Sequence, residues 1–590
     1  MADKTFRWAL ALVLTLALTI AHAQTIYHVA VDGSDEHPGT LDKPLATINA
    51  ARARVRAAID AGLRGPVTVL VHGGRYELDA PLVFAAEDSG TTQYAVTYKA
   101  FVGETPVISG GRIVKGWQKS AANRWTTRLP QVAAGQWYFR QLYADGQRLP
   151  RGRYPQDGML RIKEVSDDVR TIVFDRPLRD ADLGGRDVEV VVIQHWSIAR
   201  AIITCSRGAE VQARTPLGWV GHYWATAGPS KPAFLENAVE FLRSEGQWHL
   251  DRRTGVLTYF AKSDENPNAR VFVAPYLERL VSIEGSIDQP VRNLKFEGLI
   301  FEHVRWDLPA SGYAGIQAGY NGTATEPSSA MENTLPFAIE LQHARDCEFE
   351  TCRIRHTGAS GIGLGAGCTR NRIVGCEISD IGGNGIHIGP KGPVERVDAD
   401  WADQRDVPRG NEIINCSVHH CGSQSFGAVG VFAAYSQYTR IQHNHVAFMP
   451  YTGVSIGFRW NPSPTSQSHC LVEFNHIHDV TMKLADGAAI YALGYQPGSV
   501  LRGNHIYRVL RSSYAHGGAP NNGIYLDEGS KGFLVANNVV YDTSGEPVRL
   551  NENKMQWHTW RDNHLGQAAG RATTVMNAAG IERHYESFLK

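Results

Sequence analysis

The chain has no excess of charge of either sign. It contains 59 Lys and Arg and 59 Asp and Glu among 590 residues, so its formal net charge is zero. Proteins that bind nucleic acid normally carry a basic surface that neutralises the phosphates. The balanced charge therefore argues against nucleic acid as the main partner.

Long apolar runs are almost absent as well. The only one covers residues 8–20, follows Lys4 and Arg7, and precedes Ala21-His22-Ala23. This is the pattern of a secretory signal peptide over residues 1–23, and the run is shorter than the ~18 apolar residues of a spanning helix. We therefore expect a secreted or periplasmic protein without a membrane span.

Cysteine is scarce, with eight residues, and no spacing among them resembles a zinc site. Cys352, Cys376 and Cys416 occupy a position that later repeats give to Asn. We expect largely reduced, buried thiols, because free Cys is among the most buried residue types. A local disulfide, Cys347–Cys352 or Cys416–Cys421, is the alternative. The sequence predicts no metal and no cofactor.

The second half of the chain lacks the 3.6-residue apolar period of helices and repeats a short phrase instead. Each copy places Cys or Asn two residues before a β-branched residue, and a turn and a second apolar run follow. The copies begin at Cys352, Cys376, Cys416, Asn444, Asn475, Asn504 and Asn537, 24 to 40 residues apart. Such a period indicates stacked strand–turn–strand units. The prediction is an all-β fold, a right-handed parallel β-helix of the pectate-lyase-like solenoid type, with the first residues of the copies as an inward ladder.

The repeat divides the chain into regions. Residues 24–114 are predicted to form an N-terminal cap and the first coils, with an amphipathic helix over Pro44–Ala61 covering the open end. Residues 115–290 lose the repeat and show alternating strands and hairpin signals, which predict an inserted antiparallel β-sandwich or barrel. Residues 291–590 form the main parallel β-helix with a C-terminal cap, supplied by the amphipathic segment Thr573–Leu589.

The outward face of such a helix is a groove suited to a polymer. Aligning the second strand of each coil on its inward Ile or Val predicts an outward column that runs Glu340, Gly363, His387, Phe432, Ser455, Tyr491, Tyr525 and Arg549. A second column, two residues further, runs Gln342, Gly365, Gly389, Ala434, Gly457, Leu493, Asp527 and Asn551. The late coils are thus polar and aromatic, and Tyr491 and Tyr525 can stack on sugar rings. The alternative is that these are ordinary solvated strand positions.

Two acidic phrases lie in these late coils, at Asp486-Gly487 and at Asp527-Glu528-Gly529. Hydrolysis of a glycosidic bond needs two carboxyl groups with opposed roles, and a retaining pair lies ~5–5.5 Å apart. Equivalent residues on adjacent coils lie ~4.8 Å apart, which is close to the separation of a retaining pair. The alternative is that both phrases are turns, which Asp and Gly favour.

The strand register raises a difficulty for this pair. Asp486 lies four residues before Ile490, whereas Asp527 lies three residues after Ile524, which amounts to ~20 Å along the groove. The two carboxyl groups meet only if the turn before Ile490 curls back over the strand. Otherwise a different carboxylate has to substitute, and the candidates are Glu528, Glu340 and Glu552.

Several phrases resemble glycoside hydrolase family 141, in order and over nearly the whole mature chain. They are RQLYADGQRLPRGRYP, GQWHLDRRTGVLTYF, DGAAIYALGYQPGSVLRGNHIY and NGIYLDEGSKGFLVANNVVYD. The resemblance implies a retaining enzyme of α-L-fucosidase or xylanase type that acts on plant cell-wall polysaccharide. It also implies that Asp486 and Asp527 are the catalytic pair, with Asp527 favoured as nucleophile.

The predicted substrate is a polysaccharide or oligosaccharide. Its candidate binding residues are Glu340, His387, Arg459, Trp460, Tyr491, Tyr525, Glu528 and Arg549. Among them, Trp460 is expected to form a stacking wall, and Glu528 to raise the pKa of a neighbouring acid. Arg549 is expected to lower the pKa of the nucleophile and to orient sugar hydroxyls.

Two other functions fit the same fold. A polysaccharide lyase or epimerase abstracts a proton with a basic side chain and often uses Ca²⁺. Its candidate bases here are Arg459, Lys483, His476, His505 and Arg549, although the outward column shows no cluster of Asp for Ca²⁺. The third possibility is a non-catalytic carbohydrate-binding β-helix protein, because a fold alone does not determine function.

Overall fold

The structure, a computed structural model, describes residues 24–178, 182–219, 222–322, 333–392, 400–566 and 572–589. The predicted signal peptide lies outside these residues. Three long parallel sheets run along the molecule, and consecutive strands of the chain pass from one sheet to the next. This is a parallel β-helix, as predicted.

The first sheet contains twelve strands, Thr25–Val29, Val67–Val71, Val96–Ala100, Leu294–Glu297, Glu348–Glu350, Arg372–Val374, Glu412–Ile414, Arg440–Gln442, Leu471–Glu473, Val500–Arg502, Leu534–Ala536 and Thr559–Arg561. The second contains eleven, Gly74–Glu77, Pro106–Ser109, Ile300–Val304, Arg353–Thr357, Glu377–Ile381, Ser417–His419, His445–Ala447, His476–Val480, His505–Val509, Val539–Val540 and His564–Leu565. The third contains ten, Leu82–Phe84, Val281–Glu284, Phe337–Gln342, Ser360–Leu364, Ile386–Ile388, Val431–Ala433, Val454–Ile456, Ala488–Ala492, Asn522–Leu526 and Val548–Leu550. A further short pair joins Val291–Arg292 to Ala344–Arg345.

Alternation along these short strands places every second side chain inside the helix. Over six successive strands of the third sheet the inward column is fully buried, at Ile362, Ile386, Val431, Val454, Ile490 and Ile524. Like residues stack on like residues, so the register is fixed: a slip of one residue would expose the whole column.

A ladder of buried amides forms one edge of this core. Each Nδ2 donates at 2.9–3.0 Å to the Oδ1 of the next residue along the series Asn444, Asn475, Asn504, Asn538 and Asn563. The prediction of Asn537 for this ladder was wrong, because Val540 is the residue that pairs with Ile506. Asn537 instead takes a left-handed turn at φ 53°.

The thiols continue the ladder in the earlier coils. The thiols of Cys352, Cys376 and Cys416 each lie 3.4–3.5 Å from two backbone carbonyl oxygens, either of which can accept their single proton. All eight cysteines are free thiols, so neither of the two local disulfides is present.

An antiparallel domain is inserted between the first coils and the rest of the helix. Six of its strands close into a barrel, in the order Leu160–Val165, Thr171–Phe174, Glu210–Ala213, Ile198–Arg207, Glu189–Ile193 and Pro232–Glu236. The other strands extend this sheet or form two four-stranded sheets, and they are Gly111–Val114, Gln118–Ala121, Arg124–Arg128, Tyr143–Ala144, Gln147–Arg148, Arg153–Tyr154, Trp248–Leu250, Val256–Phe260, Phe272–Pro275, Tyr313–Gly315, Tyr320–Gly322 and Asn333–Thr334.

Strand pairing assigns two segments to a different region of the fold than the predicted domain boundaries do. Val281–Glu284 already pairs with Leu82–Phe84 and Phe337–Gln342, so the parallel stack resumes before residue 291. Strands Tyr313–Gly315 and Tyr320–Gly322, within the predicted main helix, form a hairpin that pairs with strand Ile198–Arg207 of the barrel, and Asn333–Thr334 pairs with the second strand of this hairpin. The insertion is therefore completed by a segment from the helix part of the chain.

This hairpin and the barrel pack on the outward face of the middle coils. Ile198 and Phe234 of the barrel and Tyr320 of the hairpin share one buried apolar cluster with Phe432 and Phe458 of the coils. The rings of Tyr320 and Phe458 stack with centroids 4.6 Å apart. The predicted long groove is therefore filled over the middle coils.

The described residues include eight helices, most of them short. The α-helices are Ile48–Asp60, Pro130–Ala133, Thr573–Ala578 and Arg583–Leu589, and the 3₁₀-helices are Ala86–Asp88, Val239–Phe241, Pro267–Ala269 and Met555–Trp557. The first α-helix falls within the predicted Pro44–Ala61, and Thr47 caps it through its side chain. None of the helices in the described ranges has the length and apolar character needed to cross a membrane.

The prediction that the last segment caps the far end of the helix was wrong. The loop between its two short helices lies along the side of the middle coils, where the Gly580 amide donates to the carbonyl oxygen of Phe474 at 2.7 Å. Asn415, in a coil two turns earlier, donates to Glu582 at 2.9 Å. An amphipathic pattern shows that one face is buried, but it does not identify the surface that buries it.

A buried ion cluster stabilises the barrel. The carboxylate of Glu189 accepts hydrogen bonds at 2.6–2.9 Å from Arg140, Arg151 and Arg200, and all four side chains are almost fully buried. Although burial opposes ionisation, the three guanidinium groups hold the pKa of Glu189 well below its usual range. Loss of this carboxylate would leave three buried cations without their common partner.

We therefore expect Glu189→Gln to lower the free energy of unfolding by roughly 3–5 kcal/mol. Urea unfolding followed by circular dichroism measures this difference. The matched control is Glu240→Gln, since Glu240 pairs with Arg186 at 2.6 Å with its side chain 40% exposed. Such an exposed pair contributes about 1 kcal/mol or less. Equal losses in the two variants would contradict the role assigned to the cluster.

Candidate active site

The outward column of the third sheet is confirmed by the strand register. Its members pair one after another across neighbouring strands, in the order Glu340, Gly363, His387, Phe432, Ser455, Tyr491, Tyr525 and Arg549. The last three positions therefore present two phenol groups and a guanidinium group side by side in the late coils.

Asp486 reaches this column because the turn before Ile490, in which it lies, curls back over the strand. The residue has φ 59°, a left-handed conformation that Asp tolerates better than most residues. Its Oδ1 accepts a hydrogen bond from Arg549 Nη1 at 3.0 Å, and Tyr451 donates to its carbonyl oxygen at 2.9 Å. Gly487 follows it, and a Cβ there would lie 2.7 Å from the Tyr451 ring. The turn thus needs Gly beside the Asp.

Asp527 directly follows strand Asn522–Leu526 and is 7% exposed. Its two carboxylate oxygens have separate donors: the Tyr491 hydroxyl at 2.5 Å on Oδ2 and Asn551 Nδ2 at 2.8 Å on Oδ1. These donors fix the orientation of the carboxylate, as a nucleophile that attacks along one direction requires.

The Tyr525 hydroxyl faces both aspartates. Burial raises the pKa of Tyr525, and the negative charges of Asp527 and Asp486 raise it further. Tyr525 in turn opposes the rise in the pKa of Asp486. The two carboxyl groups therefore belong to one electrostatically coupled cluster around this phenol.

The environment of Asp486 favours its protonated form. Burial raises the pKa of Asp486, and the negative charge of Asp527 raises it further. The cation of Arg549 and the hydrogen bonds from Arg549 and Tyr525 oppose this rise without cancelling it. A carboxyl group that keeps its proton beside a second carboxylate is the arrangement that a general acid needs.

The two tyrosine rings do not stack on sugar as predicted. Tyr491 and Tyr525 are 3% and 1% exposed, and their rings meet edge to face at 5.2 Å. The Arg549 guanidinium lies 4.5 Å above the Tyr525 ring. The faces are covered, so these residues act on the site through their hydroxyl groups.

Three further predicted residues border the site. Trp460 is half-buried and packs against the apolar cluster that contains Tyr491 and Tyr525. Arg459 Nε donates to Asn461 at 3.2 Å within the same loop. This loop lies against the turn after Asp527, since a Cβ on Gly529 would lie 2.3 Å from the Asn461 backbone.

Glu528 lies in that turn, next to Asp527, and its side chain is partly exposed. Its own pKa is raised, by burial first and then by the charges of Asp527, Glu552 and Asp486. The sequence predicted that Glu528 would act on the pKa of the acid. The structure instead gives burial and Asp527 as the leading causes for Asp486.

Glu340 and His387 do not join the site. At ~4.8 Å per strand they lie ~24 Å and ~14 Å from Tyr491 along the column. Glu340 is buried between Arg279 and Lys391, which lower its pKa against the effect of burial. His387 is 1% exposed and hydrogen-bonds the Pro390 carbonyl oxygen at 3.1 Å. Periodicity identifies the residues of a column, but not the inserted segments that cover it.

Three residues that contact the site were not predicted from the sequence. Asn551 was predicted to lie in the second outward column, but no function in the site was predicted for it. Tyr451 carries no motif that distinguishes it from a core tyrosine. Gln317, in the turn of the hairpin, acts on the Tyr491 hydroxyl and opposes the rise in its pKa. Another inserted segment also reaches the site, because Ala485 donates to the His195 carbonyl oxygen at 2.9 Å.

We expect Arg549→Gln to move the alkaline limb of the pH–rate profile to higher pH. The Arg549 cation lowers the pKa of Asp486, so its removal raises that pKa and preserves the acid form to higher pH. The measurement is kcat/KM against pH, with Arg440→Gln on the exposed first sheet as control. An unchanged or acid-shifted limb in Arg549→Gln would rule out Asp486 as the acid.

Comparison with protein families gives two matches. Residues 285–397 and 407–584 match the right handed beta helix region, and residues 122–262 match the GH141 insertion domain. No curated protein matches the chain.

Solved structures agree with these families. One described as a glycoside hydrolase has a TM-score of 0.86 and 25% identity over 95% of this chain and 100% of its own. A second, described as XylC with xylose, has a TM-score of 0.51 and 15% identity over 90% of this chain and 70% of its own, which shows the fold alone. The insertion domain, the right-handed β-helix and the full-length likeness together make this chain a glycoside hydrolase of the family 141 type.

Proposed function

We propose that the protein is a retaining, exo-acting glycosidase that removes a terminal sugar from plant cell-wall polysaccharide, with Asp527 as nucleophile and Asp486 as acid and base. The observation that carries this proposal is the pair of aspartates coupled around the Tyr525 hydroxyl, of which Asp486 has a pKa raised by burial and by the charge of Asp527. One group is thereby suited to give a proton and the other to attack.

The reaction runs as a double displacement. Asp527 attacks the anomeric carbon, the glycosidic C–O bond breaks, and Asp486 gives its proton to the departing oxygen. The sugar is then held as an ester of Asp527. Water next attacks the anomeric carbon, Asp486 takes its proton, and the ester bond breaks to free the sugar and Asp527.

The coupling of the two groups explains how Asp486 changes role. The charge of Asp527 is one cause of the raised pKa of Asp486. When Asp527 becomes an ester it loses that charge, so the pKa of Asp486 falls during the intermediate. Asp486 is thus an acid in the first step and a base in the second.

The covered column favours attack at chain ends. Phe432 and Ser455, the two members before Tyr491, are 0% and 2% exposed beneath the inserted segments. A polymer cannot pass through that part of the column, whereas Asp486 and Arg549 remain about a quarter exposed. This arrangement supports the fucosidase type over an internally cutting xylanase.

Little in the geometry favours a lyase or epimerase. His476 and His505 lie on the second sheet, away from the column, and Lys483 faces the Phe426 ring at 3.8 Å. Of the candidate bases, Arg549 contacts the aspartate pair, and it is bound to Asp486. The predicted signal peptide adds the further proposal that the enzyme is exported to where such polymers occur.

The test is product analysis on fucosylated plant polysaccharides, xylans and aryl glycosides, with NMR of the first-formed anomer. We expect free monosaccharide with retained configuration, absent in Asp527→Asn. Oligosaccharide products would contradict exo action, and an inverted anomer would contradict the double displacement. Unsaturated uronates would identify a lyase.

A further inference from the structure

Three imidazoles meet on the outer face of the second sheet, outside the candidate active site. His445 and His476 pair across adjacent strands, and His478 lies two residues after His476 on the same face. One ring nitrogen from each lies within 4.8 Å of the others. Within the described part of the chain, no other three His, Cys, Asp or Glu side chains come together in this way.

Two of the three rings are oriented by their other nitrogens. His478 Nδ1 contacts the Asp479 carboxylate at 2.7 Å, and His445 Nδ1 contacts the Ser417 hydroxyl at 3.4 Å. Their Nε2 atoms consequently face each other, at 2.9 Å. A carboxylate behind the imidazole is the usual support of a metal-binding His, because it fixes the ring and makes the free nitrogen a better ligand.

We propose that His445, His476 and His478 bind a Zn²⁺ ion, with water as the fourth ligand. Zn–N bonds of ~2.0–2.1 Å in a tetrahedral site place the nitrogens ~3.3–3.4 Å apart. The observed separations, from 2.9 Å to at most 4.8 Å, bracket that value. Small rotations of the rings are therefore enough to admit the ion.

The carboxylate behind His478 has a second partner on the neighbouring strand. Arg508, 2.6 Å from Asp479, balances the charge of that carboxylate.

The site would join two neighbouring coils. His445 belongs to one strand of the sheet, and His476 and His478 belong to the next. The aspartate pair lies beside the third sheet, so the ion has no contact with the proposed chemistry. A stabilising role follows, since a ligand that binds only the folded state raises its stability. The sequence alone predicted no metal here.

Aromatic stacking is the competing explanation. The His476 and His505 rings stack at 4.9 Å, and His478 stacks on Tyr507 at 5.0 Å. If the rings serve only this ladder, no specific metal affinity is expected. His505 separates the two explanations, because it belongs to the stack but not to the group of three.

The test uses full-length protein without a polyhistidine tag, freed of metal by a chelator. Calorimetric titration with Zn²⁺ should show one ion per chain, and Co²⁺ should give the visible absorption of a tetrahedral site. His478→Gln and His445→Gln should each weaken Zn²⁺ binding at least ~100-fold, whereas His505→Gln should bind like wild type. Asp479→Asn should weaken binding about 10–100-fold.

Thermal unfolding gives a second readout that is independent of glycosidase activity. Zn²⁺ should raise the Tm of wild type and of His505→Gln but not of His478→Gln. The proposal is overturned if metal-free wild type binds no Zn²⁺ in a 1:1 ratio. It is equally overturned if the folded His478→Gln or His445→Gln variant binds Zn²⁺ as tightly as wild type.

Discussion

Asn in place of Asp527 lowers kcat on an aryl glycoside by roughly 10⁴-fold or more, the loss expected when a covalent nucleophile is removed. The amide has the same shape as the carboxylate, so the hydrogen bond from Asn551 at 2.8 Å keeps an acceptor. The fold should therefore persist, as circular dichroism can verify. Glu528→Gln is the matched control, since it removes the adjacent carboxylate and should change kcat by less than about 10-fold.

Azide rescue assigns the nucleophile by stereochemistry. In Asp527→Gly the space left by the carboxylate admits azide, which attacks the anomeric carbon directly and gives an inverted glycosyl azide. The same experiment on Asp486→Gly should give the retained azide, because azide then replaces water in the second displacement. If the two products are exchanged between the variants, the roles of Asp486 and Asp527 are exchanged as well.

The repeat predicted most of the helix because its information is local. Each coil needs an inward β-branched residue, and stacking aligns these residues from coil to coil. That rule is enough to place Tyr491, Tyr525 and Arg549 side by side in the correct order. It failed at Asn537, where two consecutive Asn residues offer two registers and only the pairing of Val540 decides between them.

The active site was predicted less completely, because its contacts join segments distant in sequence. The convergence of Asp486 on the column depends on a left-handed turn, which the Asp-Gly pair permits but does not require. Gln317 and the covering of His387 depend on how the hairpin of strands Tyr313–Gly315 and Tyr320–Gly322 packs on the coils. No periodicity within one segment encodes that packing, so it could not be read from the repeat.

Loss of the general acid has an effect that depends on the leaving group, and Asp486→Ala is the sharpest test of the mechanism. On a natural glycoside, whose alkoxide leaves poorly, the first step should slow by about 10²–10⁴-fold. On a dinitrophenyl glycoside the first step needs no acid and should persist, while the second step loses its base. The glycosyl enzyme should then accumulate and add the mass of one sugar to the peptide that contains Asp527.

The pH–rate profile of Asp486→Ala tests whether Asp486 is the group that transfers the proton. In wild type the raised pKa of Asp486 keeps the acid protonated, and activity falls on the alkaline side as that proton is lost. Asp486→Ala has no such proton, so its residual activity on the dinitrophenyl glycoside should show no alkaline limb from this group. If Asp486→Ala loses activity on both substrates equally and keeps the alkaline limb, Asp486 stabilises the site without transferring a proton. If a sugar is trapped on Asp527 and the alkaline limb of the pH–rate profile is lost, the two aspartates must act in sequence on one anomeric carbon.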